Sequence, residues 1–159
     1  MFNFGHRDRL EPLLHHLVEA TTCFVPSTVV NEVKPEKKLD YEKFCEQYFE
    51  IISLSISSED ETLLRELIQT LDEGEIDVIL LTRQRKGVAV IDERHARQRA
   101  KALGIAVIGT IGILRKGIEL GWMTSDDAMA SLRLLRQNGF SIPKIEEGDT
   151  FDRYIAKMT

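Results

Sequence analysis

Short apolar segments alternate with helical patterns along this chain, and that alternation limits the fold more than any other feature. The segment "VAVID" at residues 88–92 precedes a helical pattern over 93–104, and "IAVIG" at 105–109 precedes another over 110–121. Both apolar segments have apolar residues at successive positions, which is typical of strands buried on both faces. Strands that alternate with helices form parallel sheets covered by helices. We therefore predict the α/β class with a mostly parallel sheet.

The first half of the chain shows the same alternation with shorter segments. Residues 23–25 and 50–57 are predicted to be strands, and Pro26 is predicted to end the first of them. Ser27 or Thr28 is then expected to cap a short helical turn. The helical patterns of the remaining chain cover residues 7–18, 35–49, 57–71, 75–86, 125–139 and 151–158. A glycine, Gly74, is predicted to separate the third of these helices from the fourth.

Length and composition restrict the class of protein. The chain has 159 residues, enough for one domain with a short helical appendage, and its net charge is -5. No apolar run approaches the roughly 18 residues of a membrane span, and the first ten residues lack the core of a signal peptide. The two cysteines, Cys23 and Cys45, are far apart and form no C-x-x-C pattern, which indicates reduced thiols and no structural zinc. We expect a cytoplasmic protein that does not enter membranes.

Three carboxylates are predicted to meet at one edge of the sheet. Asp92 ends the strand "VAVID", Asp77 lies in the first turn of the helix that leads into this strand, and Glu32 follows the strand at 23–25 by one helical turn. Ligands of parallel sheets bind beyond the carboxyl ends of the strands, and the amino ends of the neighbouring helices face the same edge. Clustered carboxylates repel one another unless a cation neutralises them, and hard oxygen ligands select Mg2+ or Mn2+.

Each of these carboxylates also has an ordinary structural interpretation. Asp77 and the nearby Glu75 can act as partners of the helix dipole, and Glu32, which lies close to a lysine, can be a solvated surface residue. Asp92 can cap the helix that follows it. The order of the three on an alternating fold favours a metal site, although the structural alternatives remain open for each residue.

Cationic residues follow the proposed metal edge directly. Arg94, His95 and Arg97 come just after Asp92, and Arg85 with Lys86 ends the preceding helix. The structural alternative is a solvated helix face with cations at a helix carboxyl end. A chain of net charge -5 needs a local basic patch to bind a polyanion. These five residues are therefore our candidates for contacts with a nucleic-acid backbone.

Two segments carry a resemblance to a known family. The segments are "VPSTVVNEV" at 25–33 and "LDEGEIDVILLTRQRKGVAVIDERHARQRAKALGIAVIGTIGILRKGIELG" at 71–121. Together they resemble the PIN-like domain family, in particular its predicted nucleic-acid-binding branch. The resemblance implies a three-layer α/β/α fold with a central, mostly parallel sheet over residues 1–122. Residues 123–159 are then expected to form a helical extension that packs on this domain.

The resemblance also implies an activity and a set of site residues. Active PIN domains are Mg2+- or Mn2+-dependent ribonucleases, often the toxins of toxin–antitoxin pairs, and they commonly dimerise. It therefore implies RNA, a small antitoxin protein and a second copy of the chain as partners. Glu32, Asp77 and Asp92 match the family's catalytic and metal-binding acids, with Glu75 and Glu93 as the alternates beside them.

The chain departs from the family pattern at two places. The family places a strand ending in an aspartate before a segment like "MFNFGHRDRL", and this sequence begins within that segment. Position 90 is Val, where many active members have Ser or Thr. We therefore expect a site that is short of one carboxylate. The alternative is a catalytically impaired module that binds nucleic acid or a protein partner without cleavage.

A third interpretation comes from the alternation of elements alone. In it, Asp92 accepts a phosphate and Thr110 acts as a switch residue, as in receiver-like domains. The sequence lacks the early acidic pair and the lysine after a late strand that such domains carry. This interpretation therefore ranks below the other two.

Overall fold

The computed structural model describes residues 7–158, apart from the side chains of residues 7–9 and 36. The segment at residues 1–6, which contributes to the resemblance at the start of the chain, lies outside the described residues. The described residues divide into two compact units. We call residues 21–110 the strand unit, and residues 7–20 together with 111–158 the terminal unit.

The strand unit contains four strands of three residues each. They are β1 (Phe24–Pro26), β2 (Glu50–Ile52), β3 (Val88–Val90) and β4 (Ala106–Ile108). β1 pairs with β2 and β3 pairs with β4, both in parallel. The helices of this unit are α2 (Ser27–Asn31), α3 (Pro35–Tyr48), α4 (Ser58–Leu67), α5 (Glu73–Arg85) and α6 (Arg94–Ala102). Parallel strands joined through helices confirm the predicted α/β class.

The strands pair two by two, which differs from the single sheet that was expected. Among the described residues, no ladder joins β1 to β3. Helix α5 contacts both of these strands and so connects the two pairs. Ala89, at the centre of β3, is buried, whereas Val88 and Val90 are 60% and 52% exposed. The prediction that this strand is buried on both faces is therefore wrong for the part of the chain that the structure describes, because no described element covers its second face.

The core of the strand unit lies between α4, α5, α6 and the strand β3. Leu67, Ile79 and Leu80 are its largest fully buried side chains. Ala96 and Ala100 are fully buried too, so that α6 presents a small-residue face to this core. Truncating one of the large side chains, such as Leu80→Ala, is the type of change that costs roughly 2–5 kcal/mol.

Two local predictions in this unit are corrected by the structure. Pro26 is the last residue of β1 and occupies the cap position of α2, so Ser27 and Thr28 lie inside the helix and do not cap it. Gly74 does not separate two helices, because it is the second residue of α5. The actual helix start is Asp72, whose carboxylate caps the helix in a reciprocal pair with Glu75.

The terminal unit is built from four helices around its own core. They are α1 (Arg7–Ala20), α7 (Thr110–Glu119), α8 (Ser125–Gln137) and α9 (Phe151–Ala156), with α7 starting at the last residue of the strand unit. Leu13, Leu114, Leu132 and Phe151 share this core, so the carboxyl-terminal helices pack with the first helix. The division of the chain at residue 122 stays a prediction. None of the helices described is both long and apolar enough to cross a membrane.

A buried carboxylate fastens α4 to α5. Asp60 is only 4% exposed, and it accepts hydrogen bonds from Ser57 Oγ at 2.8 Å and Gln84 Nε2 at 2.8 Å. Arg83 Nη1 lies 3.4 Å from its second oxygen. The hydrogen bond from Gln84, with smaller contributions from Ser57 and Arg83, holds the pKa of Asp60 below its ordinary value. Since Ser57 also caps α4, this network fixes the start of α4 against the last turns of α5.

We expect Asp60→Ala to lower the free energy of unfolding by about 2 kcal/mol near neutral pH, because it removes a buried carboxylate together with its hydrogen bonds from Ser57 and Gln84. The pKa of Asp60 is lowered by folding, so its contribution is complete above about pH 5 and is lost as the pH falls through 3.8 and below. Urea denaturation at several pH values measures the difference. The exposed neighbour Glu59, changed to Ala, is the control, and an equal loss in both variants would contradict this role of Asp60.

Candidate functional site

Asp92 lies just beyond the carboxyl end of β3 and holds the start of another helix. Its Oδ1 accepts the backbone N–H of Thr110 at 2.7 Å, and its Oδ2 accepts the Thr110 hydroxyl. Thr110 is the first residue of α7 and is buried. The helix that directly follows Asp92 is capped by Glu93 instead, which accepts the N–H of Ala96 at 2.7 Å. Asp92 therefore occupies the strand edge as predicted, with both oxygens engaged in fixing α7.

A glycine next to Thr110 allows a guanidinium to lie beside Asp92. A Cβ atom on Gly109 would lie 2.9 Å from Asp92 Oδ1 and 3.1 Å from Arg97 Nη1. Both groups thus occupy the space that any larger residue would fill. Gly109 follows β4 directly, so the carboxylate and the guanidinium lie together at the carboxyl ends of β3 and β4.

Glu32 and Asp77 fasten α2 to the first turns of α5. Glu32 follows α2, and its Oε1 accepts the backbone N–H of Gly74 at 3.1 Å. Thr28 donates its hydroxyl to Asp77 Oδ2 at 2.9 Å, and its carbonyl accepts the N–H of Glu32 at 3.1 Å. The structure therefore places Glu32 and Asp77 around Thr28, close to the amino end of α5.

The carboxylates at this edge interact electrostatically. Burial of the carboxylate, followed by the nearby charge of Asp72, raises the pKa of Glu32 although the Gly74 N–H opposes the shift. Burial also raises the pKa of Glu75, and the charges of Asp72, Glu93 and Glu32 add to the shift against a hydrogen bond from Asp72 N–H. The charges of Glu32 and Glu93 thus both act on Glu75. We call these three residues, with Asp77 and Asp92, the carboxylate rim.

The carboxylate rim suits a divalent cation in ligand type and in charge. All five residues offer hard oxygen ligands, and burial together with neighbouring negative charges raises the pKa of Glu32 and Glu75. Within residues 7–158, however, no three His, Cys, Asp or Glu side chains lie close enough together to hold one ion. The predicted convergence of Glu32, Asp77 and Asp92 on a single ion is therefore not formed by these side chains alone.

Three predicted cations lie near the rim and make no ion pair with a described carboxylate. Arg94 and His95 are exposed in the first turn of α6, and Arg97 is half-buried beside Asp92. Two other arginines of the strand unit are paired, since Arg83 contacts Asp60 and Arg99 contacts Glu66 at 3.0 Å. Unpaired cations in an acidic chain leave positive charge available for an anionic ligand.

Arg85 and Lys86 lie at the opposite edge of the strands. The guanidinium carbon of Arg85 is 4.9 Å from the centre of the Phe24 ring, and Phe24 is the first residue of β1. Lys86, which ends α5, comes shortly before the start of β3. The structure therefore separates these two cations from Arg94, His95 and Arg97.

Several residues of this edge make contacts that the sequence does not predict. Thr28 and Gly74 hold Asp77 and Glu32, and Ser53 donates a hydrogen bond to Ser27 at 3.3 Å where β2 and β1 end. The sequence suggests only a switch role for Thr110, whereas in the structure the Thr110 hydroxyl donates a hydrogen bond to Asp92. The one available signal was position, because each of these residues adjoins a strand end or a helix start.

The comparison with protein families decides the affiliation of this α/β chain. A family model described as a PIN domain matches residues 1–146. The chain belongs to the PIN domain family. No curated protein and no solved structure matched it.

Membership of the PIN domain family confirms the resemblance and indicates a nuclease-type fold that generally binds nucleic acid and uses divalent metals. Family membership favours a metal site at the rim over the interpretation in which Asp92 accepts a phosphate.

We expect Thr110→Val to lower the free energy of unfolding by about 1–2 kcal/mol, because a methyl group replaces the hydroxyl that satisfies Asp92. Thr110→Ser keeps the donor and should lose clearly less. Urea denaturation of both variants measures the difference. If Thr110→Ser is as destabilising as Thr110→Val, the hydroxyl of Thr110 does not fix Asp92.

Proposed function

We propose that this PIN domain is a divalent-metal-dependent ribonuclease. The observation that supports the proposal is the carboxylate rim at the strand ends of a chain that belongs to a nuclease-type family. We assign Glu32, Asp77 and Asp92 as the metal-binding and catalytic acids, with Glu75 and Glu93 as alternates. Unpaired Arg94, His95 and Arg97 beside the rim fit an RNA backbone.

Mg2+ or Mn2+ is the proposed cofactor. Mg2+ usually keeps several waters and is bound through one or two carboxylates together with substrate phosphates, so three protein ligands are not needed in the absence of RNA. A bound ion of this type supplies an activated water and neutralises charge on a phosphodiester. The chain's own part is to hold the rim carboxylates in place through Thr110, Thr28 and Gly74.

We also propose a cellular location and partners for the protein. Free thiols at Cys23 and Cys45 support a cytoplasmic location. Members of the family are often toxins with a small antitoxin as partner, and they commonly form homodimers. We propose the same activity, partner and assembly for this chain. The exposed apolar residues Val88 and Val90 are the type of surface that a protein partner covers.

We expect Asp92→Asn to reduce cleavage of single-stranded RNA with Mn2+ or Mg2+ by at least about 100-fold, since it removes a charge at the proposed metal edge while nearly preserving shape. Cleavage is measured on labelled RNA with and without a chelator. Asp126→Asn, which changes an exposed carboxylate in α8, is the control. Equal rates for wild type and Asp92→Asn would overturn the assignment of Asp92.

We expect the double variant Arg94→Ala/Arg97→Ala to bind single-stranded RNA about tenfold more weakly at low salt and to lower the salt slope by roughly 0.7 per lost phosphate contact. Arg85→Ala/Lys86→Ala removes the same charge from the opposite edge and should change affinity much less. Binding titrations at several salt concentrations measure both variants. Equal losses would contradict an interface confined to the rim.

A second candidate function is a PIN domain that binds RNA or a protein partner without cleaving RNA. The observation in its favour is that no three potential ligands meet within the described part of the chain. Asp77 and Asp92 also have hydroxyl partners that give each carboxylate a structural role. Wild-type protein that binds RNA but does not cleave it with either metal ion would favour this candidate.

A further inference from the structure

Gly74 lies in the first turn of α5, at a position where most other residues would stabilise the helix more than glycine. It is the second residue of α5 and is buried. Its backbone conformation does not require glycine, because its φ is not positive. Glycine destabilises a helix relative to alanine through its conformational freedom. A contact, rather than the backbone, must therefore explain why glycine fits here.

That contact is made with Glu32. A Cβ atom on residue 74 would lie 2.9 Å from Glu32 Cδ and 3.2 Å from Oε2, and it would lie closer still to Oε1. The whole carboxylate group therefore occupies the space that a side chain at position 74 would need. The N–H of Gly74 donates to Oε1 at 3.1 Å, so the same residue provides both the space and a hydrogen bond.

Displacing this carboxylate would leave the fold largely intact. Glu32 has a long, flexible side chain, and the residue as a whole is exposed. An added Cβ at position 74 would therefore turn the carboxylate of Glu32 away from α5 instead of disrupting the core. The expected effect is on the position of the carboxylate, and its cost in stability is limited to the contact between residues 74 and 32.

We propose that Gly74 is a positioning residue that fixes the carboxylate of Glu32 within the rim. The inference rests on the proposed function for its metal-binding consequence. Its structural consequence is independent, because the contact between residues 74 and 32 exists whether or not an ion binds. The two consequences call for two measurements.

The first measurement is a double-mutant cycle of Gly74→Ala and Glu32→Ala by urea denaturation of the full chain. We expect Gly74→Ala to raise the unfolding midpoint more in the Glu32→Ala background than in wild type, because only there is the gain in helix propensity free of the lost contact. Equal shifts in the two backgrounds would overturn the inference.

The second measurement is Mn2+ affinity by calorimetric titration. We expect Gly74→Ala to weaken Mn2+ binding at least tenfold, whereas Gly87→Ala, at a position with no atom within 4 Å of an added Cβ, should leave it unchanged. Unchanged affinity in Gly74→Ala would overturn the positioning role while the proposed function stands. If wild type binds no Mn2+, the metal-dependent function fails, and the cycle alone decides whether Gly74 fixes Glu32.

Discussion

Helix α5 is the element on which the strand unit depends. It contacts β1 and β3, which do not pair with each other within the described chain, and so it joins the two strand pairs. Its last turns hold α4 through the buried Asp60, and its first turns hold α2 through Glu32 and Asp77. The position of the candidate site therefore follows from the packing of a single helix, and the site lies at the amino end of this helix.

The acids near that end have structural and electrostatic roles at once. Asp92 fixes α7, Glu93 caps α6, and Glu75 takes part in the capping pair of α5. In a parallel arrangement, helix starts and strand ends gather at one edge, so capping acids accumulate there without any functional need. Burial, with a smaller contribution from the charge of Asp72, raises the pKa of Glu32 and Glu75, and this shift distinguishes the edge from a set of fully solvated caps.

Much of the fold follows from sequence periodicity, whereas the contacts within the site do not. The alternation predicted the α/β class and nearly every helix, because apolar spacing is a local property. It could not show that Val88 and Val90 are exposed, since burial of a strand face depends on which element covers it. It also misjudged Gly74, because glycine is usually a helix breaker and its contact with Glu32 joins residues 42 positions apart. The sequence also could not show at which edge Arg85 lies, because its contact with the ring of Phe24 is a tertiary contact.

The hydrogen bonds of Asp92 leave part of its acceptor capacity unused. A carboxylate has about four lone-pair sites, and Thr110 engages one on each oxygen. Asp92 would therefore keep its hydrogen bonds from Thr110 when an ion binds, because the same oxygens have further lone pairs for the ion. Occupancy of this edge would then strengthen the hold of Asp92 on Thr110, and amide exchange at Thr110 would slow as the ligand concentration rises.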